Sequence, residues 1–268
     1  MGRNETVIYT GCSYTNGTGF TEEEKEKYLW VNLLHNHCFS NAVKVNAGIP
    51  GGANEEIFIE TVNQLLLHKN ISNVFVEWTG VPRINTELGF ELYSTRLHAS
   101  HSPISLDVQL NDVLYSKEYL NSVKDRFISL IHPLYEITKI IKFSKILENL
   151  SSSLKVNVWF INGLCPWDKD FFKYNATITT PNEMTLYTQH QLNTENRDDE
   201  EIIKLYQKMH NNIAVAGGVT CNKWINLYQS MKSLQCDTNS DQVHPGVISN
   251  KMYANMIIDR LTEYEERI

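Results

Sequence analysis

Residues 6–13 of this 268-residue chain read TVIYTGCS and are the first indication of its fold. The first five of them, Thr6–Thr10, are all β-branched or aromatic, which predicts a short strand. Gly11 ends that strand, and Ser13 follows two residues later at the start of a turn. A strand that passes through a glycine turn toward a helix is the first unit of an alternating α/β chain.

The rest of the chain continues this alternation. Further β-rich runs predict strands at Ala42–Asn46, Asn73–Thr79, Val156–Asn162 and Lys223–Leu227. Five helices are predicted. The first begins at a Thr21–Glu24 capping box and continues through Tyr28, Leu29 and Leu33, and the second begins at an Asn54 N-cap and runs to about His68. The others begin at Pro133, cover Asp199–Asn211, and cover residues 247–266.

Apolar strands that alternate with helices predict an α/β fold with a parallel sheet covered on both faces. We expect one domain over residues 1–268, a three-layer α/β/α sandwich whose doubly wound, flavodoxin-like sheet has about five strands. Residues 84–130 and 166–198 are polar with weak periodicity. They are predicted to be loop insertions, of the kind that often cover or form binding sites.

Composition narrows the classes of function. The chain is 42% hydrophobic and carries a formal net charge of −7, which is ordinary for a globular protein and disfavours non-specific nucleic-acid binding. No apolar run has the length of a membrane helix, the first residues lack a signal-peptide core, and the five cysteines form no CxxC pair. We therefore expect a cytoplasmic protein with no nucleic-acid or membrane partner. Incorporation into a virion or another assembly stays open, as does the oligomeric state.

The residues that follow the predicted strands suggest chemistry. They are Gly11-Cys12-Ser13-Tyr14, Asn46-Ala47-Gly48, Thr79-Gly80-Val81-Pro82-Arg83 and, after the last predicted strand, Asp241-Gln242-Val243-His244-Pro245. In an open parallel sheet the carboxyl ends of the strands share one edge, where ligands bind. A serine, a glycine turn and an Asp–His pair are therefore expected to converge there.

This constellation resembles the SGNH hydrolases, also called GDSL-type esterases and lipases. Gly11-Cys12-Ser13-Tyr14 is similar to their first block, Gly48 stands where the second-block glycine belongs, and Asp241-Gln242-Val243-His244-Pro245 matches the Asp-x-x-His-Pro of the last block. The resemblance extends from residue 6 to residue 266. It implies that Ser13 is a nucleophile within a Ser-His-Asp triad.

The residue types fit that chemistry without the family name. A serine hydroxyl needs an adjacent base, which His244 can supply, and Asp241 can orient the imidazole and stabilise its charged form. The backbone N–H groups of Ser13 and Gly48 are the candidate oxyanion donors.

The third block departs from the family pattern because it lacks the asparagine that donates to the oxyanion. The stretch is Trp78-Thr79-Gly80-Val81-Pro82-Arg83, which leaves Thr79 and Asn54 as the candidate side-chain donors. Trp78 and Arg83 are candidate substrate-binding residues. The alternatives are that Trp78 belongs to the core, Asn54 is a helix cap, Thr79 only ends a strand, and Arg83 is solvated or ion-paired.

We therefore predict a serine hydrolase that cleaves an acyl ester through a Ser13 acyl-enzyme, with no metal and no organic cofactor. A small-molecule or carbohydrate ester is the expected substrate, and O-acetyl groups on a carbohydrate are the chemistry that the resemblance favours. Acyl transfer to another alcohol would use the same site. The main alternative is a catalytically degenerate SGNH-fold module for binding or structure, and a flavodoxin-like nucleotide or flavin binder is a third.

Overall fold

The computed structural model describes residues 5–79, 83–87, 94–98, 133–163, 224–225 and 230–265. Its main sheet contains β1 (Thr6–Gly11), β2 (Val43–Gly48), β3 (Ile71–Trp78) and β6 (Asn157–Asn162), in the order β2-β1-β3-β6. All neighbouring strands in it are parallel. All six residues of β1 are buried, as expected for an inner strand covered on both faces.

Helices cover the two faces of the sheet. Those described are α1 (Ser13–Asn16), α2 (Glu22–Tyr28), α3 (Trp30–Cys38), α4 (Asn54–Leu67), α5 (Pro133–Leu154) and α6 (Val247–Glu265). Because strand side chains alternate between faces, Tyr9 packs edge-on against Trp30 of α3, whereas Thr10 is hydrogen-bonded to Thr61 of α4 at 2.7 Å. On the α4 side, Phe58 stacks on Phe143 of α5. This is the predicted α/β/α sandwich.

Four of the five predicted strands are confirmed with small shifts at their ends. The described part of the predicted Lys223–Leu227 run, Trp224 and Ile225, includes a parallel bridge from Trp224 to Phe160. The N–H of Ile225 also donates to the carbonyl of Phe160 at 2.9 Å. The chain therefore runs alongside β6 at the position that a 2-1-3-4-5 sheet requires. The predicted Asp199–Asn211 helix lies outside the described residues.

The single helix predicted through Leu29 is two helices. The capping box is as expected, since the Thr21 hydroxyl accepts from the Glu24 N–H at 3.2 Å and the Glu24 carboxylate accepts from the Thr21 N–H at 2.9 Å. Leu29, however, is extended with ψ 132°, and α3 restarts at Trp30. The Trp30 N–H at this new start donates to the Asn250 side chain on α6 at 3.0 Å, so a partner remote in sequence stabilises the break.

The start of α4 also differs from the prediction. Ala53, not Asn54, is the residue in the N-cap position, and its N–H donates to the Glu56 carboxylate at 2.9 Å. Asn54 is the first helical residue, and its side chain serves the end of β3, as described below.

One predicted loop insertion contains strands. Within the 84–130 insertion and at its edge, β4 (Arg83–Glu87) pairs antiparallel with β5 (Ser94–His98). The register sets Ile84 opposite Leu97 and Thr86 opposite Thr95. The 166–198 insertion lies outside the described residues.

No helix in the described ranges combines the length and the apolar character that crossing a membrane requires.

Candidate active site

Ser13 is the first residue of α1, directly beyond the carboxyl end of β1. Its side chain is buried, and its hydroxyl contacts the Cys12 thiol at 3.9 Å. The Ser13 backbone N–H meets no acceptor among the described residues, as is usual for the first N–H groups of a helix. Ser13 therefore presents a hydroxyl and an open N–H donor at the edge of the sheet.

Gly48 lies beside Ser13's turn because β1 and β2 pair in register, with Gly11 opposite Gly48. A Cβ on Gly48 would overlap the backbone of Thr15 and Asn16, so α1 approaches this strand too closely for any other residue. The Gly48 N–H donates to the Asn46 side chain at 3.1 Å. Its predicted role as an oxyanion donor thus stays a prediction, and Asn46 would have to release that N–H.

Asp241 and His244 form a close pair. The Asp241 Oδ2 lies 2.5 Å from the His244 Nδ1, and Oδ1 accepts from the N–H groups of Val243 and His244, each at 2.9 Å. Burial acts to raise the pKa of Asp241, but the hydrogen bonds from these two N–H groups and from the imidazole outweigh it and hold the pKa below its usual value. The pair leaves the His244 Nε2 as the ring nitrogen that can serve a neighbouring group.

The Asp–His segment packs against the turn that carries Ser13. Tyr14, the next residue, has its ring edge-to-face with His244, with centroids 6.2 Å apart, and donates its hydroxyl to Gln235 at 3.1 Å. The Asn239 side chain donates to the Thr18 carbonyl at 3.0 Å. Two segments more than 200 residues apart in sequence thus meet at the predicted edge.

The Ser13 hydroxyl and the His244 ring are not hydrogen-bonded to each other in this structure; the hydroxyl is oriented toward Cys12. The full triad therefore stays a prediction. The structure brings together the Asp–His pair and the turn that bears the serine.

Asp237 holds the Asp–His segment and was missed from the sequence. Its carboxylate accepts from the N–H groups of Ile248 and Ser249 at the start of α6, at 2.9 and 2.8 Å, and from the Ser249 hydroxyl at 2.5 Å. A bridge between Thr238 and Pro245 closes the loop above it. An aspartate shortly before a Pro-Gly helix entry was the available signal, because carboxylates favour helix N-termini.

Replacing Asp237 with Asn should make the stability of the protein less dependent on pH in the acid range. Burial acts to raise the pKa of Asp237, but hydrogen bonds from the Ser249 hydroxyl and from the Ile248 and Ser249 N–H groups lower it overall. A carboxylate whose pKa is lower in the folded state than in the unfolded state stabilises the protein at a pH above its unfolded-state pKa of about 3.9. That contribution is lost as the pH falls through the folded-state pKa.

Asp237→Asn should thus lower the melting temperature at pH 7 by about 2–4 °C, and the difference from wild type should shrink below about pH 4. Thermal scans from pH 2 to 7 measure this, with the exposed α6 residue Asp259, changed to Asn, as the control. An offset that stays constant with pH would contradict the assignment.

Thr79 and Asn54, the two candidate side-chain donors, are linked to each other. The Asn54 Oδ1 accepts from the Thr79 N–H at 2.9 Å, and both residues are buried. The Thr79 hydroxyl is buried and has no hydrogen-bond partner in the described part of the chain. Asn54 therefore holds the end of β3, and Thr79 retains an unused donor there.

Trp78 lies in the core, where its ring stacks on Phe143 and Phe160 at 6.4 and 6.2 Å and is almost fully buried. These contacts match the alternative that Trp78 belongs to the core, and its assignment as a substrate-binding residue stays a prediction. Arg83 begins β4, but its side chain lies outside the described residues, so its predicted substrate contact stays a prediction.

Metal ligation has no candidate within the described ranges, where no three His, Cys, Asp or Glu side chains form a group that could hold an ion.

Comparison with known proteins gives likeness at the level of structure only. No family model and no curated protein matches the sequence. The chain is similar to the solved structure of LAE5, an alpha/beta hydrolase enzyme from the metagenome of Lake Arreo, with 11% identity over 96% of this chain and 94% of that chain and a TM-score of 0.46. It is similar to the psychrotrophic esterase EstA from Pseudoalteromonas sp. with 12% identity over 98% of this chain and 100% of that chain and a TM-score of 0.46. It is also similar to a member of the lipolytic protein G-D-S-L family from Veillonella parvula, with 14% identity over 95% of this chain and 97% of that chain and a TM-score of 0.38. At these values the likeness carries no conclusion about activity.

Proposed function

We propose that this chain is a serine hydrolase that cleaves an acyl ester, with Ser13 as nucleophile, His244 as general base and Asp241 as the partner of the imidazole. The observation that carries the proposal is the Asp241–His244 pair, joined at 2.5 Å and packed against Tyr14, the residue next to Ser13. An Asp-bonded imidazole beside a serine at the end of a parallel strand is the arrangement that activates a hydroxyl.

The reaction uses the His244 Nε2, because Nδ1 is bonded to Asp241. The Ser13 hydroxyl turns from Cys12 to His244, transfers its proton to Nε2, and attacks the ester carbonyl. His244 then returns the proton to the departing alcohol, which leaves an acyl group on Ser13. Water, deprotonated by the same nitrogen, then attacks the acyl carbonyl. The bond to the Ser13 oxygen breaks, the acid leaves, and His244 returns the proton to that oxygen. Catalytic hydrogen bonds are often long before substrate binds, so the present orientation of the Ser13 hydroxyl is compatible with this sequence.

The oxyanion would be held by donors around the same turn. The Ser13 N–H is one donor, and the Thr79 hydroxyl is the candidate that replaces the missing third-block asparagine, since neither group has a hydrogen-bond partner among the described residues. The Gly48 N–H would join them once Asn46 releases it. Together these groups would stabilise the charge that develops on the carbonyl oxygen.

For the substrate we propose a short acyl ester, with an O-acetyl group on a carbohydrate as the first choice. The polar composition of the 84–130 and 166–198 insertions favours a polar alcohol over a long-chain lipid. Analysis of products with and without an added acceptor alcohol separates hydrolysis from acyl transfer.

A fluorophosphonate probe tests the nucleophile directly. The wild-type protein should be labelled, and peptide mapping should place the label on Ser13. Asp241→Asn should slow labelling by about 10²-fold or more because the imidazole loses its tautomer control. Ser144→Ala, the loss of a buried serine on α5 whose hydroxyl donates to Ile140, is the matched control and should be labelled at the wild-type rate. A label on any other residue would overturn the assignment.

The second candidate is a catalytically degenerate module used for binding or structure. The observations that favour it are the Ser13 hydroxyl facing Cys12 and the Gly48 N–H held by Asn46. Under this alternative the wild type is not labelled, and p-nitrophenyl acetate hydrolysis is the same for wild type and Ser13→Ala.

A further inference from the structure

Glu77 is a fully buried carboxylate on β3, within the otherwise apolar run Val74-Phe75-Val76-Glu77-Trp78. A charge in such a place is costly unless hydrogen bonds compensate for it. The mechanism above does not use Glu77.

Among the described residues, three donors bond to Glu77, and these come from the turn that carries Ser13. The Cys12 N–H donates to Oε2 at 3.1 Å, the Cys12 thiol to Oε1 at 3.1 Å, and the Thr15 hydroxyl to Oε2 at 2.6 Å. Cys12 precedes Ser13 and Thr15 follows it by two residues. One carboxylate therefore binds the chain on both sides of the candidate nucleophile.

The sequence provides space for this carboxylate. A Cβ on Gly11, at the end of β1, or on Gly163, just after β6, would overlap the Glu77 side chain. Glycines at the ends of the two strands that flank β3 thus leave room for a charged group that the core would otherwise exclude. The site of Glu77 is therefore formed by β1, β3 and the end of β6, and the carboxylate does more than cap the short helix α1.

We propose that Glu77 is a positioning residue for the nucleophile turn: by binding Cys12 and Thr15 it fixes the direction of the Ser13 N–H and hydroxyl. The catalytic part of this inference rests on the proposed function; the ordering of the turn does not. Hydrogen bonds to a carboxylate are roughly twice as strong as neutral ones, so a charged group positions the turn more firmly than an amide would. A small displacement of a reacting group is enough to slow chemistry while substrate binding is retained.

The test compares Glu77→Gln and Thr15→Val with two matched variants. Thr15→Ser keeps the hydroxyl, and Thr61→Val removes an equally buried hydroxyl that bonds Thr10 and Ile57 away from the turn. The readouts are kcat and KM for p-nitrophenyl acetate, fluorophosphonate labelling, and amide hydrogen exchange of the peptide that spans residues 11–17.

We expect Glu77→Gln and Thr15→Val to lower kcat by about tenfold or more with KM changed less than about twofold. Exchange at residues 11–17 should rise by about tenfold, which corresponds to the loss of one hydrogen bond. Thr15→Ser should restore both properties, and Thr61→Val should alter neither.

The failures are distinguishable. If wild type is neither labelled nor active, the proposed function is wrong, and the exchange measurement alone decides the role of Glu77. If exchange in Glu77→Gln equals that in Thr61→Val, or if Thr15→Ser behaves like Thr15→Val, the inference about Glu77 is wrong whatever the activity.

Discussion

Ser13→Ala and His244→Ala should each lower the kcat for p-nitrophenyl acetate by about 10⁴-fold or more, and the double variant should be no slower than either single one. The reason is that the hydroxyl and the imidazole act as one unit: without the base the serine is not activated, and without the serine the base has no nucleophile to activate. Steady-state rates of the two single variants and of the double variant measure this coupling.

Two controls separate this effect from damage to the fold. Ser144→Ala removes another buried serine hydroxyl, one bonded within α5, and should retain wild-type kcat. His68→Ala removes a partly buried imidazole whose partner is Gln64, and it should do the same. Multiplicative losses in the double variant, or a Ser13→Ala protein with more than a tenth of wild-type activity, would show that the two groups do not form one catalytic unit.

The alternating architecture could be predicted because its signals are local. The first five residues of β1 are all β-branched or aromatic, and every residue of β1 is buried. Thr21 and Glu24 form the capping box that their spacing indicates. The convergence of Ser13 with the Asp241–His244 segment also followed from topology, since carboxyl ends of parallel strands share one edge.

The errors arose where a remote partner outweighed local preference. The helix break at Leu29 is stabilised by Asn250, which bonds the Trp30 N–H from 220 residues further along the chain. Asn54 fits the preferences of an N-cap, yet the Thr79 N–H recruits its side chain from another strand. No local pattern contains such partners.

Glu77 was overlooked for a related reason. A strand pattern treats one charged residue in VFVEW as an outward-facing position, but this strand is covered on both faces and its charge meets donors from residues 12–15. The usable signal was the contradiction itself, because an ionisable side chain inside a buried parallel strand needs partners.

Thr79→Val should lower kcat by about 10²-fold or more and leave the protein as stable as wild type, or more stable. The Thr79 hydroxyl is buried and has no partner in the described part of the chain, so its removal breaks no hydrogen bond there. Its N–H is held by Asn54, which places that hydroxyl at the end of β3. A buried donor that has no acceptor in the free enzyme lowers stability, and the same donor stabilises the oxyanion of the tetrahedral intermediate. Its removal is therefore expected to lower kcat without lowering stability. Parallel measurements of kcat and thermal unfolding test it.

The opposite signs distinguish an oxyanion donor from a residue that only ends a strand. Thr79→Ser keeps the donor and should retain most of the activity, whereas Thr61→Val removes a hydroxyl that is already bonded to Thr10 and should lose stability without losing kcat. Asn54→Ala should lower both quantities, because it removes a buried acceptor from the Thr79 N–H. If Thr79→Val leaves kcat unchanged, and Asn54→Ala greatly lowers kcat while its stability equals that of wild type, the donor role belongs to Asn54. Unchanged kcat in both variants would leave the intermediate to the Ser13 and Gly48 N–H groups alone.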